Sequence, residues 1–289
     1  MSPQCPKLYI VSTPIGTLND LSERAKEILG SVDFVICEDT RHTSKLLHHF
    51  NIKTSLKSLH LQNEKTRAHS LIEELLNSKN QCAALVSDAG TPGISDPGAL
   101  FVSLAHETKI QVMSVPGPSS MTSALAACGF LQPRALFSGF LPRQAKEQRQ
   151  EFSRWVAVAP CVAVYFESPK RLLSSLKNLE EFFAETKLTV CVSREISKKF
   201  EEHLVGKIAE VSKIISERDE VQGEHVVCVN IENQSKAQTQ EDTFSAAIKE
   251  VLDLTSKGQQ LKKACKEVAE KYSISVKELY NKAILLKGI

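Results

Sequence analysis

The sequence has no Cys-x-x-Cys pair. Its eight cysteines (Cys5, Cys37, Cys82, Cys128, Cys161, Cys191, Cys228 and Cys265) all lie at least 30 residues apart. That spacing excludes a zinc ribbon and a dithiol redox motif. Cys82, Cys161, Cys191 and Cys228 sit in or beside apolar runs, where a thiol behaves as a small hydrophobe. The set is therefore expected to be reduced and structural, in a cytoplasmic protein. Walker, His-Glu-x-x-His and Gly-x-Ser-x-Gly motifs are missing too. Phosphoryl transfer, zinc hydrolysis and serine hydrolysis thus lose their usual signatures, and no metal site is expected. The N-terminus lacks the charged start and apolar stretch of a signal peptide. The longest uncharged run, 110–133, holds Pro116, Gly117, Pro118 and several serines, so it is no membrane span. The net charge of +2 points to no particular partner.

What is present is an ordinary globular composition over 289 residues, enough for two domains and a small appendage. Residues 7–128 repeat a unit of apolar run, loop and amphipathic helix. Strands are predicted at 8–11, 32–37, 55–60, 82–86 and 110–115, and helices at 21–29, 41–50, 63–76 and 119–127. This alternation means an α/β domain with a largely parallel sheet, and the continuous apolar strands fit a sheet covered on both faces. A second α/β unit follows, with strands at 136–140, 161–166, 188–192 and 225–231 and helices at 147–158 and 170–183. A strand at 202–205, close behind 188–192, makes part of this sheet antiparallel. The polar stretch 232–242 reads as a linker, followed by helices at 243–256, 259–272 and 275–286. Ser275 and Glu278 have capping-box spacing, and the last two helices could form a helix-turn-helix hairpin. The predicted domains are 1–130, 131–233 and 234–289. From Lys236 onward the balance is +3, against −1 for the rest. That basic tail suits either RNA contact or a solvated helical surface.

The punctuation residues gather in loops after the predicted strands, where open parallel sheets bind ligands. Six of the 12 glycines lie between Asp88 and Gly139, and no proline follows Pro169. The loops are 12–20, 37–45, 87–98, 116–120, 140–143 and 166–171. The twelve residues 87–98, with three Gly, two Pro and two Asp, are long for an α/β connection. Simple capping by Asp39 or Thr40 leaves Glu38, Arg41 and His42 unexplained. The amides and hydroxyls around Ser119 and Ser120, at a helix start, could hold a carboxylate. Spacing alone thus points to a polar, metal-independent small ligand between two α/β units.

In this order the loops resemble the ribosomal RNA small-subunit methyltransferase I family of bacteria, within the tetrapyrrole methylase superfamily. The matching stretches are 13–20, 38–43, 87–98, 116–119, 139–143, 167–169 and 193–195. Thr17 departs from the usual Asn, 59–64 match loosely, and Arg143 lacks the basic cluster that usually follows it. The resemblance implies two α/β domains of tetrapyrrole methylase type with a small C-terminal helical domain, S-adenosylmethionine in the cleft, and a homodimer. It implies 2′-O-methylation of a cytidine ribose in the decoding region of small-subunit ribosomal RNA, either naked or in an assembled subunit. By the same analogy the donor would contact Pro14, Gly16, Asp88, Ala89, Gly90, Thr91, Ser119, Ser120, Phe166 and Glu167.

For the chemistry, Glu38 or His42 could accept the hydroxyl proton, while Arg41 or Lys45 could hold a phosphate or lower the hydroxyl's pKa. Alternatively these residues only position RNA. The rival functions are a tetrapyrrole methylase of the same superfamily and a non-catalytic RNA-binding protein.

Overall fold

A computed structural model describes residues 6–184, 186–232, 234–257, 259–272 and 274–287, with the backbone alone for 234–243, 245 and 285–287. The chain forms two compact units, Met1–Ile231 and Glu232–Ile289.

The first unit holds two sheets. The elements of its first half are β1 (Lys7–Val11), α1 (Glu23–Ser31), β2 (Phe34–Cys37), α2 (Thr40–His49), β3 (Ser55–Ser58), α3 (Glu64–Asn77), β4 (Cys82–Leu85), α4 (Ala99–Glu107), β5 (Gln111–Val115) and α5 (Ser120–Ala127). Its strands run in the order β3-β2-β4-β1-β5, every pair parallel. The apolar run of β2 is buried at all four residues, as a sheet covered on both faces requires. One face packs on α3 and α4 through Leu71, Leu75 and Phe101. The other packs on α1 and α2 through Leu29 and Leu47.

Helix α4 has no counterpart among the predicted elements. It is only nine residues long and its first four are all apolar, so its polar face, Ser103, His106 and Glu107, is confined to the second half and too short to mark a period. Its start is capped from a distance: the Gly98 and Leu100 amides donate to Glu64 Oε1 at 2.9 and 3.1 Å. Gly30, just past the predicted end of the first helix at 29, lies inside α1, which runs to Ser31.

The second half comprises β6 (Ala135–Phe140), α6 (Ala145–Ala157), β7 (Cys161–Glu167), α7 (Pro169–Phe182), β8 (Thr189–Arg194), β9 (Glu202–Lys207), α8 (Ile208–Ser216) and β10 (His225–Ile231). The strand order is β6-β7-β10-β8-β9. Only β6 and β7 are parallel, and β10 is antiparallel to both its neighbours. Trp155, Tyr165, Leu176 and Val227 fill the core under α6–α8. The opposite face of the sheet receives α5, whose Ala124, with Cys128 just beyond, packs on Val164, Val226 and Cys228. That buried contact joins the two sheets into one unit.

The second unit is α9 (Gln234–Ser256), α10 (Leu261–Tyr272) and α11 (Val276–Lys287). Residues 234–242, expected as linker, are the first turns of α9, so their polar composition reflects a helix and not a loop. Ala264, Cys265 and Val268 form the buried face of α10, and Lys262, Lys263 and Lys266 lie on its exposed face. The Glu278 amide donates to Ser275 Oγ, the cap, at 3.4 Å. The seven described cysteines are free thiols, six of them buried, and Cys5 lies outside the described residues. Among the described residues no helix is long and apolar enough to cross a membrane.

Candidate active site

Three loops at the C-terminal ends of the parallel strands β4, β1 and β5 are knitted into one wall. Thr13, just past β1, exchanges backbone hydrogen bonds with Gly90 at 2.8 and 3.1 Å. The Thr13 hydroxyl donates to the Ser87 carbonyl at 3.0 Å. Ser12 and Thr91 share a hydroxyl bond of 2.9 Å, and Thr91 Oγ1 donates to the Pro118 carbonyl at 3.2 Å. The long 87–98 loop is therefore pinned at its first turn to the loops after β1 and β5. Gly90 holds φ at +86° there, a conformation glycine reaches without strain.

Between this wall and the second sheet lies a cavity of about 460 Å³, within the usual size of a small-ligand site. The first half lines it with Ile15, Glu38, Asp88, Ala89, Gly90, Thr91, Ile94, Ser95, Asp96, Ser119 and Ser120. The second half lines it with Phe140, Phe166, Glu167, Ser168, Pro169, Ile196, Glu224, His225 and Val226. Among these described residues are five carboxylates and no lysine or arginine, so the interior is electronegative. Burial, then the charges of Glu38 and Asp88, push the Asp96 carboxyl up to about 6. Burial and Asp88 raise Glu38, while His60 pulls it the other way. Among the described residues no three His, Cys, Asp or Glu side chains converge as a metal cage would.

The far wall is also polar where it is buried. Glu167, 2% exposed, takes Arg171 and the Ser168 amide on Oε1, each at 2.7 Å. Its Oε2 and the Nδ1 of His225, which faces Glu167 across the β7–β10 pair, are buried without a partner. Buried polar atoms are nearly always hydrogen-bonded, so this pair marks a wall with unspent capacity for a polar group. Helix α5 presents a similar opening: Ser119 makes no side-chain cap bond to its first turn, leaving amides at a cavity-lining helix start.

Of the residues singled out from sequence, Glu38, Asp88, Ala89, Gly90, Thr91, Ser119, Ser120, Phe166 and Glu167 meet around this one cavity. Arg41, His42 and Lys45 do not. They are exposed on the first turns of α2, with Arg41 paired to Asp39 at 2.8 Å and its side chain 88% exposed. Pro14 is buried and does not line the cavity, whereas its neighbour Ile15 does. Gly16 lines no part of the cavity. A Cβ there would collide with the Ser197 carbonyl and stand 2.7 Å from Lys198 Cγ. Thr17, in place of the usual Asn, donates its hydroxyl to the Ser197 carbonyl at 2.8 Å. This first loop therefore straps the two halves together.

Asp96, Glu224 and His225 also line the cavity and are not among the residues that the sequence marks as candidates. Asp96 carried a usable signal, a second carboxylate in an overlong glycine-rich loop. Glu224 and His225 carried none: β10 is antiparallel, so its start rather than its end faces the ligand side.

The fold and site are of the tetrapyrrole methylase class. The family model described as Tetrapyrrole (Corrin/Porphyrin) Methylases matches residues 7–212. A solved uroporphyrin-III C-methyl transferase from Thermus thermophilus, complexed with S-adenyl homocysteine, shares the fold. Its TM-score is 0.51 at 16% identity, over 77% of this chain and 96% of that one. Two curated relatives, each named Ribosomal RNA small subunit methyltransferase I, match nearly end to end. The Vibrio cholerae protein is 38% identical over 95% of this chain and 93% of its own length. The Bacillus subtilis protein is 37% identical over 95% and 92%. The chain belongs to the ribosomal RNA small subunit methyltransferase I family.

Proposed function

We propose that this protein is an S-adenosylmethionine-dependent methyltransferase that 2′-O-methylates a cytidine ribose in the decoding region of small-subunit ribosomal RNA. The observation that carries the reading is the electronegative cavity between the two sheets, in a chain of this family. When bound, S-adenosylmethionine supplies an electrophilic methyl group on a cationic sulfur. The cavity fits such a donor. Glu38, Asp88 and Asp96, which make no ion pair among the described residues, favour its positive charge, whereas Glu167 and Glu224 are paired to Arg171 and Lys198; the open first turn of α5 would hold its carboxylate. The unpartnered Glu167 Oε2 offers an acceptor on the far wall. The turn from Asp88 to Thr91, with Ser119 and Ser120, would orient the methionine portion against the acceptor.

A ribose hydroxyl is a weak nucleophile until aligned and partly deprotonated. Alignment supplies about 7 kcal/mol or more in favourable cases. In this reading a carboxylate oxygen of Asp96 accepts the hydroxyl proton, and Glu38 and Asp88 keep that oxygen basic. Glu38, on the same wall, stays close enough to tune it, whereas His42 stands outside the cavity. Arg41, His42 and Lys45, on the exposed start of α2, hold RNA phosphates. The resemblance to the family supports a cytoplasmic homodimer acting on the subunit or its RNA.

Arg41→Ala accordingly weakens small-subunit binding and flattens its log–log salt dependence by about 0.7–0.9, one phosphate's share, while donor affinity is unchanged. Filter binding at several salt concentrations checks this, and a wild-type slope would leave Arg41 as a partner of Asp39 only. Removing residues 236–289, which carry the exposed lysine face of α10, flattens the slope by roughly 1–3. If truncation instead lowers Tm or changes the mass by light scattering at constant slope, the helices serve packing.

The function itself is tested with methyl-labelled donor offered small subunits, naked ribosomal RNA and a tetrapyrrole in parallel. The expected result is label in small-subunit RNA, within an alkali-resistant dinucleotide, the mark of a blocked 2′-hydroxyl. Label in a base, or in the tetrapyrrole alone, would overturn the proposal.

A further inference from the structure

Phe140 is the last residue of β6 and is 56% exposed, yet it lines the cavity. Its direction is set by a bulge. Phe137 pairs with Val164 and Phe140 with Phe166, so three steps along β6 match two along β7. Strict alternation from Phe137 would send the side chain of residue 140 to the sheet face where Ser138 bonds Trp155 Nε1. The extra residue returns Phe140 to the face of Phe137 and Phe166, which looks toward the cavity. Bulges re-aim side chains in this way beside functional sites.

The bulge depends on Gly139, whose φ is +62° and whose missing Cβ would lie 3.3 Å from Ser95 Oγ. Phe140 is thereby brought to the wall that carries Ser95 and Asp96. Phe166 supports the ring by a tilted edge contact, centroids 5.5 Å apart, and Phe137 supports Phe166 in turn at 4.9 Å. The result is a propped, partly uncovered aromatic ring beside the proposed proton acceptor.

Resting on the function proposed above, we infer that Phe140 is the stacking platform for the nucleobase of the nucleotide whose ribose is methylated. A single-stranded base is held most economically against an aromatic face. The carboxylate-lined interior, which repels phosphate, leaves the lip as the place for the base. Phe140 is thus an acceptor-binding residue and not part of the donor site.

The test measures kcat and KM on small subunits, and donor affinity by calorimetry, for Phe140→Ala, Phe140→Leu and Phe140→Trp. Stacking predicts that Ala and Leu lower kcat/KM by about 5- to 100-fold, within what base stacking commands. Trp retains wild-type kcat/KM within a few fold, and all three bind donor within about twofold of wild type. A Leu variant as active as wild type would overturn the proposal, because apolar cover would then suffice. So would a parallel loss of donor affinity, which would assign the ring to the donor. A wild-type protein inactive on RNA but active on a tetrapyrrole would overturn the functional reading and this inference with it.

Discussion

Gly90→Val lowers the affinity for S-adenosylmethionine at least tenfold, about 1.4 kcal/mol, in a protein that still folds. Gly90 sits at φ +86°, where a β-branched residue is strained by on the order of 1–3 kcal/mol. Its Cβ would make ordinary contacts, 3.5 Å from Ile15 Cγ2 and 3.9 Å from the Pro118 carbonyl, so the cost lies in the backbone and in the two methyls beyond it. Relief requires the Asp88–Thr91 turn to rotate, which breaks the paired bonds with Thr13 and moves two cavity walls together. The sheet beneath is buried and independent of that turn, so the fold persists. Gly93→Val is the control. It has the same kind of backbone, φ +80°, with nothing within 4 Å of its Cβ, and it lines no part of the cavity. Calorimetric titration of both variants, with melting curves, decides the matter. Equal affinity in folded Gly90→Val and wild type would remove this turn from the donor site.

Asp96→Asn lowers kcat by about 10²–10⁴, the usual contribution of a general base, with donor affinity little changed. In the wild-type protein kcat/KM for the donor rises as the pH passes through about 6, where the Asp96 carboxylate of the free protein ionises. In the variant that limb is lost. Stability moves the other way. The folded carboxyl binds its proton more tightly than the ordinary value of 3.8, so the wild type loses stability as pH rises from about 4 to 6 and regains none above. Asn carries no such cost. After discount for solvent screening the gain at pH 7.5 is about 1 kcal/mol, or roughly 2–4 °C in Tm, vanishing below pH 4. Single-turnover rates and melting curves across pH 4–8 test both halves. A folded Asn variant with wild-type rate and an intact pH limb would move the base to Glu38.

The opposed effects have one origin. Glu38, Asp88 and Asp96 are gathered in a half-buried space where no lysine or arginine among the described lining residues relieves their mutual repulsion. Such a cluster costs stability in the free protein, and on the proposed function it gains its use when a cationic donor enters. The donor's positive charge is lost on methyl transfer, so the same electronegative wall that favours the substrate form favours the product less. That difference assists release of the product.

Much of this was determined by the sequence alone. The alternation of apolar runs and amphipathic helices established the α/β class and the parallel first sheet, because strand burial on two faces demands continuous apolar runs. The loops that follow those runs held most of the cavity residues, because a parallel sheet places all its strand ends on one side. The tertiary structure decided the rest. It separated Arg41, His42 and Lys45 from Glu38, their neighbour in the chain, since one helical turn carries a side chain from the cavity wall to the surface. It turned Phe140 inward through one extra residue at Gly139, a register change that alternation does not announce. It brought the start of antiparallel β10 to the ligand side, against the rule that holds for parallel strands. And it raised Asp96 above its ordinary pKa, first by burying it and then by setting two other carboxylates near it, one of them 58 positions away. Chain order reports neighbours along the backbone, whereas burial and charge act between neighbours in space.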